Sequence, residues 1–528
     1  MRTKLCGCLI VLLLVSVSQM TGCLMEEIFF GPRFSLTSWQ ITDEEGFACL
    51  HLQYTTKETV TVKLFNNRGT LVDTTLLLFG SNETMLYLAS YHEPVVPGVY
   101  TLKVYNDELE DVFEEEVSIE QGSAQIVTFE QQWWQREGAA WLLCLTMTVM
   151  NRGESPLYPQ TLEMSVAGTS FSSALLPDVL PPGETRDIVG YVVISERIEG
   201  DAVVSLHDGT GEELDSFQLS LQMESTIEET SFNWRHQFEN LQLFIPYPHL
   251  LHEYYQGLDR LENEDYSVYV FDPFDDDYLD LVVDQLLSDV SMEDEVEQVE
   301  VLASFVQHLS YREDINGNLS CEYPRYPLET LFDDGGGGDC EDKAIVAAAL
   351  LSQAGFEVAL LRLTNHMAVG VKLSQPLSSH TTYTGEYYFL ETTTKNQKVG
   401  VIPTEYVDDA NLSVYPLADR PVVLHAWKNN SITIYKNTMY GDFVRVTAVV
   451  QNAGSAVARD VAVTAGFYTS GGKDRESKTK IIPVIQPGGK EKMSLMVNIP
   501  YEGPTWFSTR VLLDNNLVDE KKSATSFP

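Results

Sequence analysis

Two segments far apart in this chain repeat one pattern of strands and turns. LTMTVMNRGESP, around Asn151, matches VRVTAVVQNAGSAV, around Asn452, and a Pro-Gly turn follows each of them, in LPPGETRDIVGYVVI and IQPGGKEKMSLMVNI. Alternating apolar residues on both sides of an Asn-x-Gly turn indicate paired strands. The repeat therefore predicts one β-sandwich at residues 126–222 and a second copy at residues 424–528.

Residues 24–125 show the same alternation, in TVTVKLFNN and PGVYTLKVYN, with turn signals between the strands. They predict another β-sandwich. The paired Asn-x-Gly and Pro-Gly turns of the two repeats resemble those of Ig-like, cell-adhesion-related modules that are common on prokaryotic surfaces. This resemblance implies Ig-like sandwiches in an exported protein.

Residues 223–420 have a different pattern, in which helical stretches at Tyr278–Leu287 and Glu295–Leu309 follow a predicted hairpin in FNWRHQFENLQLFIP. This segment predicts an α+β domain. In FDPFDDDYLD the acidic residues lack the spacing and the central glycine of an EF-hand, so we interpret them as helix caps rather than calcium ligands. These residues are Asp275, Asp276 and Asp277. The fold class is thus a multidomain protein whose α+β core is flanked by β-sandwiches.

The first 22 residues are typical of a signal peptide, because Arg2 and Lys4 precede a short apolar run. The following Met20-Thr21-Gly22-Cys23 resembles the lipobox of prokaryotic lipoproteins, although methionine departs from the usual first position. This resemblance implies a lipid on Cys23 and a protein anchored at the outer surface of the membrane. An ordinary cleavage site and an uncleaved anchor remain alternatives.

Charge excludes one class of partner. The chain carries a net charge of −43, which argues against binding to nucleic acid, since phosphates require a cationic surface. The negative charge is unevenly distributed along the chain, because residues 424–528 contain 13 basic and only 9 acidic side chains. The cysteines show no CxxC or framework spacing, and no metal or cofactor is expected. We expect Cys321 to be free or buried, because a disulfide to Cys340 would block the thiol discussed next.

The stretch GGGGDCEDKAIVAAALLSQAGF holds a cysteine between a glycine run and a predicted helix. Asp339 is predicted to cap the helix and Gly355 to end it, so Cys340 lies where the helix dipole favours a thiolate. Glu341 and Asp342 oppose the thiolate. A histidine is therefore needed to take the proton.

LTNHMAVGVKL offers this histidine at the start of an alternating strand, and GEYYFLETTT predicts the next strand. Pairing Gly370 with Tyr387 in an antiparallel hairpin places His366 opposite Glu391. Opposed side chains share a face, with Cβ atoms about 4.5–5.5 Å apart, so imidazole and carboxylate could meet. The residues thus predict a catalytic triad in which Cys340 attacks, His366 takes its proton and Glu391 orients the ring.

These residues also resemble the transglutaminase-like superfamily of papain-type folds, especially its exported prokaryotic and archaeal branch. The order GDCED, NHMAVGV and YYFLETTT, preceded by YPRYPLETL, carries the resemblance over residues 232–418. It implies that Cys340 is the nucleophile and His366 the general base, with Glu391 where the family usually has aspartate. Met367-Ala368 replaces the usual Ala-Trp. The oxyanion hole is expected to use the Cys340 backbone N–H and one side chain, for which Gln307 is a candidate.

Each residue has a simpler interpretation. Cys340 could be a small buried hydrophobe, His366 a core histidine and Glu391 a carboxylate at a strand edge. His380 is a competing histidine in a polar loop, which we expect to face solvent. We favour a surface-attached cysteine protease or amidase, in which hydrolysis of peptide or amide bonds prevails over amine transfer. The alternative is a non-catalytic adhesion or envelope-scaffold protein whose β-sandwiches bind cell-envelope partners.

Overall fold

The computed structural model describes residues 32–527, except positions 78, 81, 107, 136–139, 262, 317–318, 321, 379, 439–440 and 502. The predicted signal peptide, the lipidation site Cys23 and Cys321 lie outside the described residues. No helix in the described part of the chain is both long enough and apolar enough to cross a membrane.

In the part of the chain that the structure describes, three units contain seven strands each, arranged as two antiparallel sheets packed face to face. The first contains β1 (Phe34–Glu44), β2 (Phe47–Thr56), β3 (Val60–Phe65), β4 (Leu71–Leu77), β5 (Glu83–Tyr87), β6 (Gly98–Tyr105) and β7 (Asp111–Ile119). The second contains β8 (Ala124–Gln135), β9 (Trp141–Asn151), β10 (Pro159–Val166), β11 (Thr169–Ala174), β12 (Thr185–Ile194), β13 (Asp201–Asp208) and β14 (Glu213–Ser220).

A segment of helices and short strands follows the second sandwich. Its elements are β15 (Glu229–His236), β16 (Glu239–Pro246), α1 (His249–Gly257), α2 (Asp276–Leu286), α3 (Glu295–His308), β17 (Ser310–Tyr311), β18 (Ile315–Asn316), β19 (Leu319–Ser320), α4 (Pro327–Phe332), β20 (Gly337–Gly338), α5 (Cys340–Gln353), β21 (Val358–Leu363), β22 (His366–Val371), β23 (Tyr388–Leu390) and β24 (Ser413–Pro416). Short 3₁₀ turns lie at Tyr266–Tyr269, Asp333–Gly335 and Thr404–Tyr406.

The last sandwich contains β25 (Val423–Thr438), β26 (Gly441–Asn452), β27 (Ala458–Tyr468), β28 (Asp474–Ile485), β29 (Lys490–Asn498), β30 (Trp506–Leu513) and β31 (Asn516–Lys522). All three sandwiches share one topology. In each, the first, second and fifth strands form one sheet, and the other sheet has the order fourth, third, sixth, seventh. Alternate side chains of both sheets fill the core between them. The chain is therefore a multidomain, mostly antiparallel β protein.

The Asn-x-Gly turns are held by a buried asparagine side chain. The Asn452 amide donates to the carbonyls of Ala456 and Ile485, and its oxygen accepts from the N–H groups of Val422 and Gly454. Asn151 makes the equivalent four bonds in the second sandwich. The glycine of each Pro-Gly turn donates back to the carbonyl of the same asparagine. The two sequence signals therefore mark one structural unit.

We predict that Asn452→Ala strongly destabilises the last sandwich. The substitution leaves two N–H groups and two carbonyls without their partner, and each buried unsatisfied group costs about 1–3 kcal/mol. Hydrogen exchange of the β26 and β29 amides measures the loss. Asn516→Ala, at an exposed position of the same sandwich, is the matched control; equal protection in both variants would contradict this role.

The last sandwich packs against the first one. Arg445 on β26 donates to Thr75 Oγ1 at 3.1 Å, and Lys492 Nζ lies 3.6 Å from the centre of the Tyr87 ring. Two basic side chains of the last sandwich therefore contact the first sandwich, although the two units lie at opposite ends of the sequence.

In the central segment, helices α2, α3 and α4 pack against α5, which lies on an antiparallel sheet. Strands β21–β24 pair in the order β23-β22-β21-β24, and α5 packs against β21 and β22. The predicted hairpin is β15–β16. The core of this segment continues into the second sandwich through Trp134, Cys144 and Tyr191. Helix α5 is thereby surrounded by apolar side chains, which fixes the position of its first residue.

The acidic stretch before α2 is not a set of side-chain caps. Asp275 occupies the N-cap position, but its carboxyl makes no capping hydrogen bond and is fully buried. Asp276 accepts a hydrogen bond from Gln353 on α5, at 2.5 Å. Burial, followed by the charges of Asp272 and Asp277, raises the pKa of Asp276 to about 6. The carboxyl of Asp276 thus connects two helices instead of capping one.

We predict that Asp276 makes the central segment less stable as the pH rises from about 4 to about 6. The folded state holds this proton more tightly than the unfolded state, so the contribution is complete below the unfolded pKa and is lost between the two pKa values. Comparing thermal unfolding of the wild type and Asp276→Asn at pH 4 and pH 7 measures the effect. Asp289→Asn, at an exposed position, should retain the wild-type pH dependence.

Candidate active site

Cys340 is the first residue of α5, as predicted. Asp339 and Asp342 form a capping box around the helix start, in which the Asp342 carboxylate accepts the Asp339 N–H at 3.2 Å. The preceding glycines allow close packing, because a Cβ at Gly338 would lie 2.3 Å from the Asp342 carboxylate. The glycine run therefore brings the chain directly onto the first turn of α5.

The Cys340 thiol lies near the start of strand β22. The backbone N–H of Met367, the residue after His366, is close enough to the sulfur to favour the thiolate and lower the Cys340 pKa. The thiol itself donates to Glu341 Oε2 at 3.1 Å. Burial, followed by the charge and hydrogen bond of Glu341, raises the pKa of Cys340 far above its usual value, although the Met367 N–H opposes this. This environment therefore favours the protonated thiol over the thiolate.

His366 and Glu391 are in contact. His366 Nε2 lies 3.0 Å from Glu391 Oε2, and the carboxylate is 2% exposed. Its other oxygen accepts from the N–H and hydroxyl of Thr393, at 2.8 and 2.5 Å. Burial alone would raise the pKa of Glu391, but His366 and Thr393 outweigh it and lower this pKa to about 2. Glu391 is thus an ionised partner for the imidazole.

The remaining contacts of the imidazole fix its orientation. The ring of Tyr406 stacks on it, with ring centres 4.9 Å apart and an interplanar angle of 10°. Because Nε2 is bound to Glu391, Nδ1 is the nitrogen left for another partner. Carboxylate and aromatic ring together hold His366 beside Met367, whose N–H lies near the Cys340 sulfur.

The predicted strand register is wrong by two residues. Gly370 pairs with Phe389 rather than Tyr387, and the ladder ends where Val369 pairs with Leu390. Side chains alternate with a period of two, so this shift keeps Glu391 on the face of His366 as a diagonal neighbour. The long glutamate side chain spans the diagonal. The contact was predicted, but from a pairing that does not occur.

Gln307 is not placed to stabilise an oxyanion. Its side-chain amide donates to the backbone carbonyls of Glu391 and Gln397, both at 2.9 Å, and it is buried. Both amide hydrogens are therefore used to hold the segment that follows β23. His380 is half-buried against Gly400 rather than fully solvent-facing.

A buried lysine near the site was missed by the sequence analysis. Lys343, in the first turn of α5, donates to the carbonyls of Gln307 and Leu309, at 3.3 and 3.1 Å. It satisfies carbonyls at the end of α3, and burial lowers its pKa to about 8. A lysine three residues after the cysteine, in a helix predicted to be closely packed, was the available signal.

Carboxyls crowd the cysteine more closely than the sequence indicated. Burial, followed by the hydrogen bond and charge of Asp339, raises the pKa of Glu341 to about 9. Asp342 instead faces Arg325, whose guanidinium and backbone N–H both bind it. Among the described cysteines, Cys49 and Cys144 are free and buried, whereas Cys340 is free and partly exposed. Cys340 is therefore the accessible thiol of the three.

No family model matches the chain, and no curated protein matches it. Similar solved structures include bovine butyrophilin, with 14% identity and a TM-score of 0.18 over 36% of this chain and 99% of the other. A two-domain fibronectin type-III segment of chicken tenascin has 12% identity and a TM-score of 0.18 over 36% and 99%. Red sea bream transglutaminase has 10% identity and a TM-score of 0.15 over 73% and 80%. Likenesses with TM-scores this low do not establish a shared function.

Proposed function

We propose that this chain is an exported cysteine enzyme of the transglutaminase-like type, which cleaves amide or peptide bonds through a thioester. The observation that supports this most is the buried, ionised Glu391 carboxylate on His366 Nε2, at the start of the strand on which the Cys340 helix packs. A nucleophile, a base and a group that orients the base are thus carried by one helix start and one sheet.

The proposed reaction begins with a change of partner for the thiol. The Cys340 thiol gives up its hydrogen bond to Glu341, and its proton passes to His366 as the sulfur attacks the carbonyl carbon of the substrate. Glu391 stabilises the imidazolium that forms. Collapse of the tetrahedral intermediate breaks the C–N bond, and His366 returns the proton to the leaving amine. Water then attacks the thioester, His366 takes its proton, and the acid and the free thiol are released.

The Cys340 backbone N–H, at the start of α5, is the proposed oxyanion donor. Because Gln307 is committed to two backbone carbonyls, the second donor has to come from another group. We favour water over an amine as the acceptor, since no described cluster forms an evident site for an amine.

A thiol-directed probe tests the proposal. We predict that iodoacetamide labels Cys340 in the folded wild type at neutral pH, and that His366→Ala loses most of this labelling, because the base is gone. Peptide mass spectrometry locates the adduct. His308→Ala is the matched control, since the ring of this half-buried histidine hydrogen-bonds to the Ser304 carbonyl of its own helix, at 2.7 Å. Equal labelling of the wild type and His366→Ala would refute activation by His366.

A scaffold role is the second candidate. It is favoured by the three sandwiches of identical topology, which are typical of adhesion modules, and by the raised pKa of the resting thiol. Surface attachment through a lipid on Cys23 and binding to envelope partners fit both candidates and remain proposals. If Cys340→Ser leaves the processing of every cell-surface protein unchanged, the scaffold candidate replaces the enzyme.

A further inference from the structure

A cleft of about 810 Å³ lies where the three sandwiches meet, and we call it the three-sandwich cleft. It is lined by residues 40–43 of β1 and the turn that follows, by Tyr91 and His92, by residues within 177–186 of the second sandwich, and by Lys490 of the last. The Pro-Gly turn of the second sandwich lies in this range, and Lys490 directly follows that of the last. Lys490 Nζ lies 5.2 Å from the centre of the Tyr91 ring. The repeated turns of two sandwiches thus meet on the first one.

Lys490 is a half-buried cation without an acidic partner. Within the described residues, no carboxylate forms an ion pair with its ammonium, and burial lowers its pKa. Burial also lowers the pKa of Lys492, two residues further along β29, but there Cys49, Glu44 and Asp73 oppose the shift. The chain has 77 acidic and only 34 basic side chains. An unpaired ammonium in a cleft of such a chain indicates a place for a negative charge from outside.

The other charged groups that face Lys490 are already engaged or neutral. Arg186 forms an ion pair with Asp178, at 2.9 Å. Asp43 accepts a hydrogen bond from the Tyr158 hydroxyl, at 2.7 Å. Burial, followed by the charge of the neighbouring ammonium, lowers the pKa of His92 to about 4, so this ring is neutral at neutral pH. The lysine is therefore the group in the cleft that can attract an anion.

The same cleft contains a free strand edge. Among the described strands, β1 is an end strand of its sheet and pairs with β2 alone. Both residues of the connecting turn, 45–46, have positive φ, as in a type I′ turn. Such a turn makes Glu44 and Phe47 a hydrogen-bonded pair, so by alternation the N–H and C=O groups of Ile41 and Asp43 point away from β2. No backbone partner for these groups is found within the described residues.

We propose that the three-sandwich cleft binds an extended acidic peptide, which pairs with the free edge of β1 and places one carboxylate on Lys490. A strand edge is satisfied by the backbone of another extended chain, which supplies donors and acceptors at the same spacing. One unpaired ammonium matches one carboxylate, and a hydrogen bond between two ions is stronger than a neutral one. The described lining residues all belong to the sandwiches, so this inference does not depend on the enzymatic function.

The probe is a blocked, fluorescent heptapeptide of alternating threonine and valine with a central glutamate. We expect its fluorescence anisotropy to show saturable binding of one equivalent to the full chain. A probe with glutamine in place of glutamate, or the variant Lys490→Gln, should each weaken binding at least tenfold. Combining the two changes should weaken binding no further, because both remove one interaction. Lys490→Arg should keep most of the affinity, and Lys478→Gln, at an exposed position of the same sandwich, should bind as the wild type does.

Modified probes test the strand pairing without changing the protein. N-methylation of every second amide removes the donors on one edge of the peptide, so one alternate set should abolish binding and the other should not. Saturable binding that is absent, equal for the glutamate and glutamine probes, or unaffected by either methylated set overturns the proposal. Oligogalacturonate that binds through Lys490 when the peptide does not would assign the cleft to a sugar acid instead.

The catalytic cysteine separates this proposal from the enzymatic one. Cys340→Ser should bind the peptide probe as the wild type does, because the cleft lies on the sandwiches. Circular dichroism checks that Lys490→Gln remains folded. Failure of the probe to bind, with labelling of Cys340 still dependent on His366, removes the peptide site alone. Binding of the probe with labelling independent of His366 removes the enzyme alone.

Discussion

Glu391→Gln is expected to slow iodoacetamide labelling of Cys340 at neutral pH by roughly 10²- to 10⁴-fold, because the general base His366 loses the carboxylate that orients it. The carboxylate is buried and ionised, and it binds His366 Nε2. A glutamine amide of the same shape cannot stabilise an imidazolium, and its NH₂ group would face the ring nitrogen. The histidine would then lose both its orientation and its charge partner.

The rate of adduct formation at Cys340, followed by mass spectrometry, measures this effect. Glu405→Gln is the matched control, because Glu405 is exposed and lies next to Tyr406, which stacks on His366. The double variant with His366→Ala should be no slower than His366→Ala alone, since the two residues act as a unit. Additive losses would mean that Glu391 acts independently of the histidine.

Arg325→Leu is expected to destabilise the helix that carries Cys340 by about 3–5 kcal/mol, the cost of breaking a buried ion pair by removing one partner. The Arg325 guanidinium contacts Asp342 on α5 and lies 2.9 Å from Asp314 Oδ1. Asp342 is fully buried and Asp314 nearly so. Without the arginine, both carboxyls remain buried but lose the positively charged side chain that neutralises them.

Hydrogen exchange of the α5 amides measures this loss locally, which avoids treating a multidomain chain as a two-state unit. Arg235→Leu, at an exposed position of β15, should change the same amides by no more than about 0.5 kcal/mol. Unchanged protection of α5 in Arg325→Leu would show that the network does not hold the helix start.

The repeat of two sandwiches was visible in the sequence because one buried asparagine bonds four backbone groups in each copy. The first sandwich has the same topology but was not recognised as a third copy, since Thr56 stands where Asn151 and Asn452 stand in the others. Its hydroxyl lies within hydrogen-bonding distance of the carbonyls of Glu58 and Arg33. Thr56 makes only some of the hydrogen bonds that the asparagine makes, and it lacks the Asn-x-Gly motif. A search for that sequence motif therefore does not find the first sandwich.

Within the candidate site, the sequence predicted the start of α5 and the contact of His366 with Glu391, but not the register that produces this contact. A shift of two residues buries the same faces of both strands, so hydrophobic alternation cannot distinguish the two pairings. The bonds of Gln307 and the buried position of Lys343 depend on packing between α3, α5 and the sheet. Such contacts between distant segments leave no local pattern.

The sequence predicted only part of the arrangement of carboxyls around Cys340. It indicated that Glu341 and Asp342 oppose a thiolate, but not that their partners differ: Arg325 binds Asp342, whereas Glu341 accepts a hydrogen bond from the thiol.

Cys340 is proposed to form a thioester with the help of His366, and p-nitrophenyl acetate is the probe for this step. We expect a burst of nitrophenolate, an acetyl group on Cys340 in the acid-quenched protein, and slow loss of that group to water. Cys340→Ser should show no burst, and His366→Ala a much slower one. If no acetyl adduct forms on Cys340, or if it forms equally fast without His366, Cys340 does not act as a nucleophile activated by His366.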